Sequence, residues 1–152
     1  MKETPADRRL IIDLEKCFGC FACAAACPEK HIAFTDHEGL RRFRAPSLCG
    51  AQCDACRKAC PVDAIVLEEV ASEEPRPALI ELTWGLPLTR CRTCGEAFTT
   101  EKIRQSLSDK LAALLGSADL ALDRIPLCPS CRRDDEAQRM RSATRTLPDP
   151  LP

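Results

Sequence analysis

Apolar positions along this chain come in short bursts, with one longer helical stretch near the middle of the second half. "LIIDL" at 10–14 reads as a first strand, and "IAF" at 32–34 and "IVL" at 65–67 read as two more. Between strands, runs such as "CAAACP" suit one or two helical turns, with the proline just past them acting as a stop. From 100 to 115 the period lengthens. Ile103, Leu107, Leu111, Leu114 and Leu115 fall on one helical face, and Gly116 is placed to end the helix. "ALIELTWGLPL" at 78–88 carries the single tryptophan, Trp84. It reads either as a strand packing the C-terminal part onto the first part, or as a segment that docks into a partner. The acidic, proline-bearing "EEVASEEPRP" at 68–77 reads as a linker, and "RRFR" at 41–44 as a solvated basic loop. After Arg132 the chain is highly charged and closes on "LPDPLP", for which an extended or disordered tail is expected.

The pattern repeats. "CFGCFACAAACPEKHIAF" (17–34) aligns with "CGAQCDACRKACPVDAIVL" (49–67), so that Cys20, Cys23, Cys27 and Pro28 fall on Cys53, Cys56, Cys60 and Pro61. Two copies of one small strand–loop–helix–strand unit are therefore expected to face each other about an approximate two-fold axis. The expected organisation is a repeat domain over 1–67, a linking or docking segment over 68–90, a second cysteine-bearing element over 91–133, and a tail over 134–152.

Composition shifts attention from the core to the cysteines. Aromatic residues make up 4% of the 152 residues and tyrosine is absent, whereas there are 12 cysteines. A small chain with few large apolar anchors needs covalent or metal staples. The N-terminal "MKETPADRRLIIDLEKC" has no apolar signal-peptide core, and acidic residues follow Arg8 and Arg9 where a twin-arginine signal needs an apolar stretch. No segment approaches the roughly 20 apolar residues of a membrane span. The expectation is a cytoplasmic chain, or one peripheral to the inner membrane face, with reduced thiols that bind metal. A net charge of −1 with no basic stripe argues against nucleic-acid binding.

The first eight cysteines define their chemistry by spacing. Cys17, Cys20 and Cys23 form C-x2-C-x2-C, and Cys27 follows, directly before Pro28. In the bacterial two-cluster ferredoxin run the fourth cysteine ligates the other cluster. A tight loop can wrap three corners of a cubane, and a cysteine on the next helical turn points across to the neighbouring cube. The expected ligand sets are Cys17, Cys20, Cys23 and Cys60 for one [4Fe–4S] cluster, and Cys49, Cys53, Cys56 and Cys27 for the other. The second copy departs by one residue: "GAQ" separates Cys49 from Cys53, and Gly50 is expected to absorb the insertion through unusual dihedrals. No catalytic constellation is visible. His31 and His37 read as surface or packing residues, with His31 the alternative candidate for tuning or ligating a centre.

Four cysteines remain. Cys91 and Cys94 in "CRTCG" and Cys128 and Cys131 in "CPSC" form two C-x2-C knuckles. Four thiolates in a 2+2 arrangement suit a structural zinc ion or a single rubredoxin-like iron; a third [4Fe–4S] cluster is disfavoured, because the cubanes here use three close ligands plus one.

With both motifs in place, the chain resembles the two-cluster iron–sulfur subunit of formate hydrogenlyase and related energy-converting hydrogenases, itself similar to a subunit of NADH-quinone oxidoreductase. The resemblance covers about residues 10–133, and those hydrogenlyase-type subunits add two C-terminal cysteine pairs of this kind. It implies an α+β bacterial two-cluster ferredoxin fold with a small zinc-ribbon or rubredoxin-like element. It also implies a non-catalytic electron-transfer subunit of anaerobic metabolism, whose partners are other Fe–S or catalytic redox subunits and which meets the membrane only through them. A relay subunit of a molybdenum or tungsten oxidoreductase, or a diffusible ferredoxin, are the alternatives.

Overall fold

The computed structural model of the chain describes residues 7–50, 52–70, 79–115 and 120–145. They divide into two compact units, residues 1–87 and 88–152.

In the first unit, strand β1 (Arg8–Ile12) lies between β4 (Leu48–Cys49) and β5 (Ile65–Glu69), antiparallel to both. The strand starts two residues earlier than "LIIDL" leads one to expect, and Leu10 is its buried anchor. Asp13 then turns the chain: its Oδ1 accepts from the amides of Glu15 and Lys16, and its carbonyl accepts from the Cys17 amide. An aspartate favours this local bonding over continued strand. The strand thus delivers the chain directly into the first cysteine loop.

The internal repeat is visible in the backbone. Helices α1 (Ala22–Ala26) and α2 (Ala55–Ala59) begin at positions related by the same offset as the cysteines, and they pack against each other. The chain reversal after each Cys-Pro uses a left-handed residue, Lys30 (φ 56) in one copy and Asp63 (φ 49) in the other. Neither five-residue helix has a side-chain cap. Helices this short are not stable alone, so they depend on packing and on whatever their cysteines bind.

The hairpin of β2 (Ala33–His37) and β3 (Leu40–Pro46), continued by β6 (Glu81–Arg90), forms a second sheet. One expectation changes here. "RRFR" is not a solvated loop: β3 alternates buried and exposed positions, with Arg41 and Phe43 inside and Arg42 and Arg44 outside. The pattern is concealed in the sequence because one of its inward residues is a cation. "ALIELTWGLPL" contributes β6, which pairs with β3 from Leu40↔Pro87 to Pro46↔Glu81 and buries Trp84 and Leu86. The core comprises Leu10, Ile32, Phe43, Ile65, Trp84 and Leu86, into which Cys27 and Cys56 are packed. Phe43 and Trp84 stack at 5.1 Å with planes 6° apart, a contact worth about 0.5–1.5 kcal/mol beyond its buried area. Of the expected linker, Glu68 and Glu69 end β5 and Val70 is buried; 71–78 lie outside the described residues.

In the second unit, the last residues of β6 pair with β7 (Ala97–Thr100), followed by α3 (Glu101–Leu115), α4 (Leu120–Arg124) and α5 (Pro129–Arg145). Thr100 is fully buried, and its Oγ1 accepts from the Ile103 amide, capping the start of α3. The helix has the expected extent, but its apolar face is not a core face: Leu107, Leu114 and Leu115 are all exposed. Gly116 lies outside the described residues. The tail expected to be extended is corrected as far as Arg145, where α5 ends; residues 146–152 lie outside those described. Arg124 ties α5 back through Glu136 and Asp135, at 2.6 and 3.4 Å. The core of this unit is Cys91, Leu127 and Cys128, with Phe98 and Cys131 against it. A core made largely of thiols gains little from apolar burial, which makes the unit dependent on what those thiols hold.

Candidate metal centres

The first eight cysteines all lie in the first unit, on two loop–helix segments that pack together. Cys17, Cys20, Cys23 and Cys60 line one cavity, with some 370 Å³ of empty space partly open to solvent, and the indole of Trp84 borders it. Burial pushes the Cys17 thiol up, and the neighbouring Cys60 and Cys20 add to this. Cys23 is pushed up to about 11 by burial, then by Cys17, Cys20 and Cys56. In the other copy, burial raises Cys49 to about 11, with Cys56, Cys53 and Cys27 contributing. Cys56 is raised by burial and by Cys53 and Cys27. Cys60 therefore lies among the cysteines of the first loop, and Cys27 among those of the second.

Such thiols hold their protons unless a positive charge replaces them, so metal uptake here would release protons. Amides compensate part of that cost. The Ala64 amide donates to Cys60 Sγ at 3.3 Å, and the amides of Gly19 and Ala24 favour the thiolates of Cys17 and Cys23. Gly19 (φ 68) and Phe21 (φ 55) are left-handed, which turns successive amides inward around the first loop. Gly50 behaves differently from expectation. It is not among the left-handed residues, and a Cβ there would meet nothing within 4 Å. The Cys53 amide donates to the Gly50 carbonyl at 3.0 Å; Ala51 lies outside the described residues.

Two residues that the sequence does not mark as part of a metal site adjoin the first loop. Arg41 is buried, and its Nη1 donates to the Gly19 carbonyl at 2.9 Å. Its Nε and Nη2 make a two-pronged pair with Asp36, each at 2.8 Å, and hold that carboxyl below its ordinary range. The guanidinium also lies 5.3 and 5.4 Å from the ring centres of Phe21 and Phe34, which stack on each other at 5.2 Å. Trp84 is the second. Its Nε1 is buried with no hydrogen-bond partner among the described residues, yet its N–H lies on the Cys17 side, where it favours the thiolate. A buried, unsatisfied donor at a cavity lined by four thiols fits an anionic group held by those thiols. The alternation of "LRRFRAP" and "ELTWGLPL" is the sequence signal that could have found both residues. His31 and His37 are exposed, His37 beside Glu38.

In the second unit, the sulfurs of Cys91, Cys94, Cys128 and Cys131 all lie within 4.8 Å of one another. A tetrahedral ion with metal–sulfur bonds of about 2.3 Å needs sulfur–sulfur edges of about 3.8 Å; Cys94 and Cys128 are 3.7 Å apart. Gly95 (φ 76) makes the tight reversal after the first knuckle, its amide donating to the Cys91 carbonyl. The Cys128 amide donates to Cys91 Sγ at 3.3 Å. That amide first, then those of Cys94 and Thr93, pull the Cys91 thiol down to about 6. Cys131 is pushed up to about 12 by Cys128 and Cys94. One thiolate ready and another resisted is what four close sulfurs do without a shared cation.

Residues 16–64 match the family described as the 4Fe-4S dicluster domain. The chain is also similar to an uncharacterized ferredoxin of Methanocaldococcus jannaschii, 31% identical over 61 residues that span 40% of this chain and 79% of the relative. Both Arg41 and the first eight cysteines fall in the family match; Trp84 and the second-unit knuckles lie beyond it. Among the described residues, no helix is long and apolar enough to cross a membrane.

Proposed function

The chain belongs to the 4Fe-4S dicluster ferredoxins, iron–sulfur electron carriers, and on that premise we propose that it relays single electrons as a dedicated subunit of a multi-subunit redox complex. Its two [4Fe–4S] clusters are held by Cys17, Cys20, Cys23 and Cys60, and by Cys49, Cys53, Cys56 and Cys27. What supports this assignment is proximity: Cys60 lines the same cavity as Cys17, Cys20 and Cys23, and Cys27 lies close enough to Cys49 and Cys56 to raise their thiols. When bound, the clusters supply one-electron storage. The chain's own part is to bury the sulfurs, aim amides at them and tie the two loop–helix segments into one folding unit.

Cys91, Cys94, Cys128 and Cys131 hold one structural ion, zinc or a single iron. Sulfurs within 4.8 Å of one another suit a single tetrahedral ion better than a four-iron core. The subunit reading is supported by what lies outside the family match, namely β6, the knuckle unit and the uncovered leucines of α3. A carrier that only shuttles needs none of these. The partner class is a catalytic redox subunit of the hydrogenase or formate-dehydrogenase type, at the cytoplasmic side.

Purification from the native host tests this. A stable complex with other redox subunits is expected. A chain recovered as a monomer, soluble alone and reversibly reduced, would make it a diffusible ferredoxin.

A further inference from the structure

Trp84 has two properties that simple core packing does not require. Its ring is fixed by the stack on Phe43, the residue opposite it in the β3–β6 register. Its Nε1 is nevertheless buried with no hydrogen-bond partner among the described residues, and the residue lines the cavity of Cys17, Cys20, Cys23 and Cys60. Burying an indole N–H unpaired is costly, and a phenylalanine would fill the same core position without that cost. It is also one-sided: the chain has a single tryptophan, so the second cysteine set has no counterpart.

We propose that Trp84 tunes one of the two clusters, donating its indole N–H to Cys17 Sγ and so making the cluster held by Cys17, Cys20, Cys23 and Cys60 the easier of the two to reduce. This rests on the ligand assignment proposed above. The physical reason is the sign of the charge change. When one electron is added, negative charge on the thiolate sulfurs grows, and a hydrogen bond to a more charged acceptor is stronger. The proton stays on the indole nitrogen throughout; only the strength of its interaction changes. Because the donor sits in a water-poor site, little solvent competes with it. An electron entering the chain would then rest preferentially on the Cys17 side, which gives the relay a direction.

The test is an EPR-monitored redox titration of the anaerobically purified, fully loaded chain and of its Trp84→Phe variant. In the wild type two cubane couples of unequal potential are expected. In the variant the more easily reduced one should lose about tenfold in its reduced-to-oxidised ratio at a fixed potential, ~59 mV for one electron, while the other stays within about twofold. Two unchanged couples, or equal shifts in both, would overturn the proposal. If the variant fails to assemble, wild-type protein labelled with 15N at its single tryptophan decides the matter. Pulsed EPR of the reduced chain should show an indole 15N coupling to one cluster, and its absence would overturn the proposal equally. A wild-type chain without two cubane couples would instead defeat the ligand assignment, an outcome seen before any variant is compared.

Discussion

Replacing Asp36 by asparagine would leave a guanidinium in the protein interior without its counter-charge. Arg41 has a side chain 7% exposed and makes two 2.8 Å bonds to Asp36, whose own side chain is 37% exposed. Unit charges about 4 Å apart interact by about 4 kcal/mol at an effective dielectric near 20. The partly wet carboxylate roughly halves that, so a coupling of about 2 kcal/mol is expected, above the ~0–1 kcal/mol of surface pairs. The cycle comprises Asp36→Asn, Arg41→Met and the double variant; loss of the Gly19 bond is common to both Arg41→Met arms and cancels. Because cofactor loss makes unfolding irreversible, the assay is the rate of iron release to a chelator in denaturant, under anaerobic conditions. About 2 kcal/mol corresponds to as much as ~30-fold in rate when the pair is broken before the rate-limiting step. The exposed Lys58–Asp54 pair, 3.0 Å apart with the lysine 72% exposed, serves as the internal control. The pair's pH dependence has a definite sign. Arg41 lowers the Asp36 pKa from its ordinary 3.8, so the contribution is complete above that value and lost only as pH falls through the lower folded-state value. Between about pH 5 and 8 the coupling should therefore be constant. A coupling below about 0.5 kcal/mol, or one no larger than the control, would refute the claim that this pair braces the first cysteine loop.

Cys27→Ser should remove the cluster of Cys49, Cys53 and Cys56, lowering iron by about four per chain; loss of the first cluster alone in the EPR spectrum would contradict the crossed assignment. Zinc uptake by the apo knuckle should release protons, since Cys131 is held up at about 12, so affinity should fall at least about tenfold per pH unit on acidification. Calorimetry in buffers of differing ionisation enthalpy reads this directly, and a pH-independent affinity would exclude a thiolate site. Gly95→Ala places a Cβ at φ 76, so a strain of about 1–2 kcal/mol should weaken knuckle metal retention in a competition assay and leave the cluster signals unchanged.

The cysteine pattern carried most of what could be read in advance, because cluster ligation imposes fixed spacings and the packing of a core does not. The repeat relating Cys20 to Cys53 reappears as α1 and α2 and as the left-handed pair Lys30 and Asp63. The hairpin was hidden for a different reason. β3 turns a charged residue inward, and its burial makes sense only once Asp36 and the Gly19 carbonyl are in place, neither of which is adjacent in sequence. Helix α3 shows the converse. Its leucines follow a core period, yet Leu114 is 79% exposed, because periodicity reports an apolar face without saying what covers it. Gly50 shows that a glycine beside an insertion need not be the residue that absorbs it.

Metal analysis of anaerobically purified chain, combined with EPR of the reduced form, tests the two-cluster assignment most directly. About 8 iron and one zinc per chain are expected, or about 9 iron where the knuckle holds iron, with the signature of two interacting reduced cubanes. About 4 iron with a single cubane signal would contradict the assignment of Cys17–Cys60 to two clusters, and about 12 would contradict a single ion between Cys91 and Cys131.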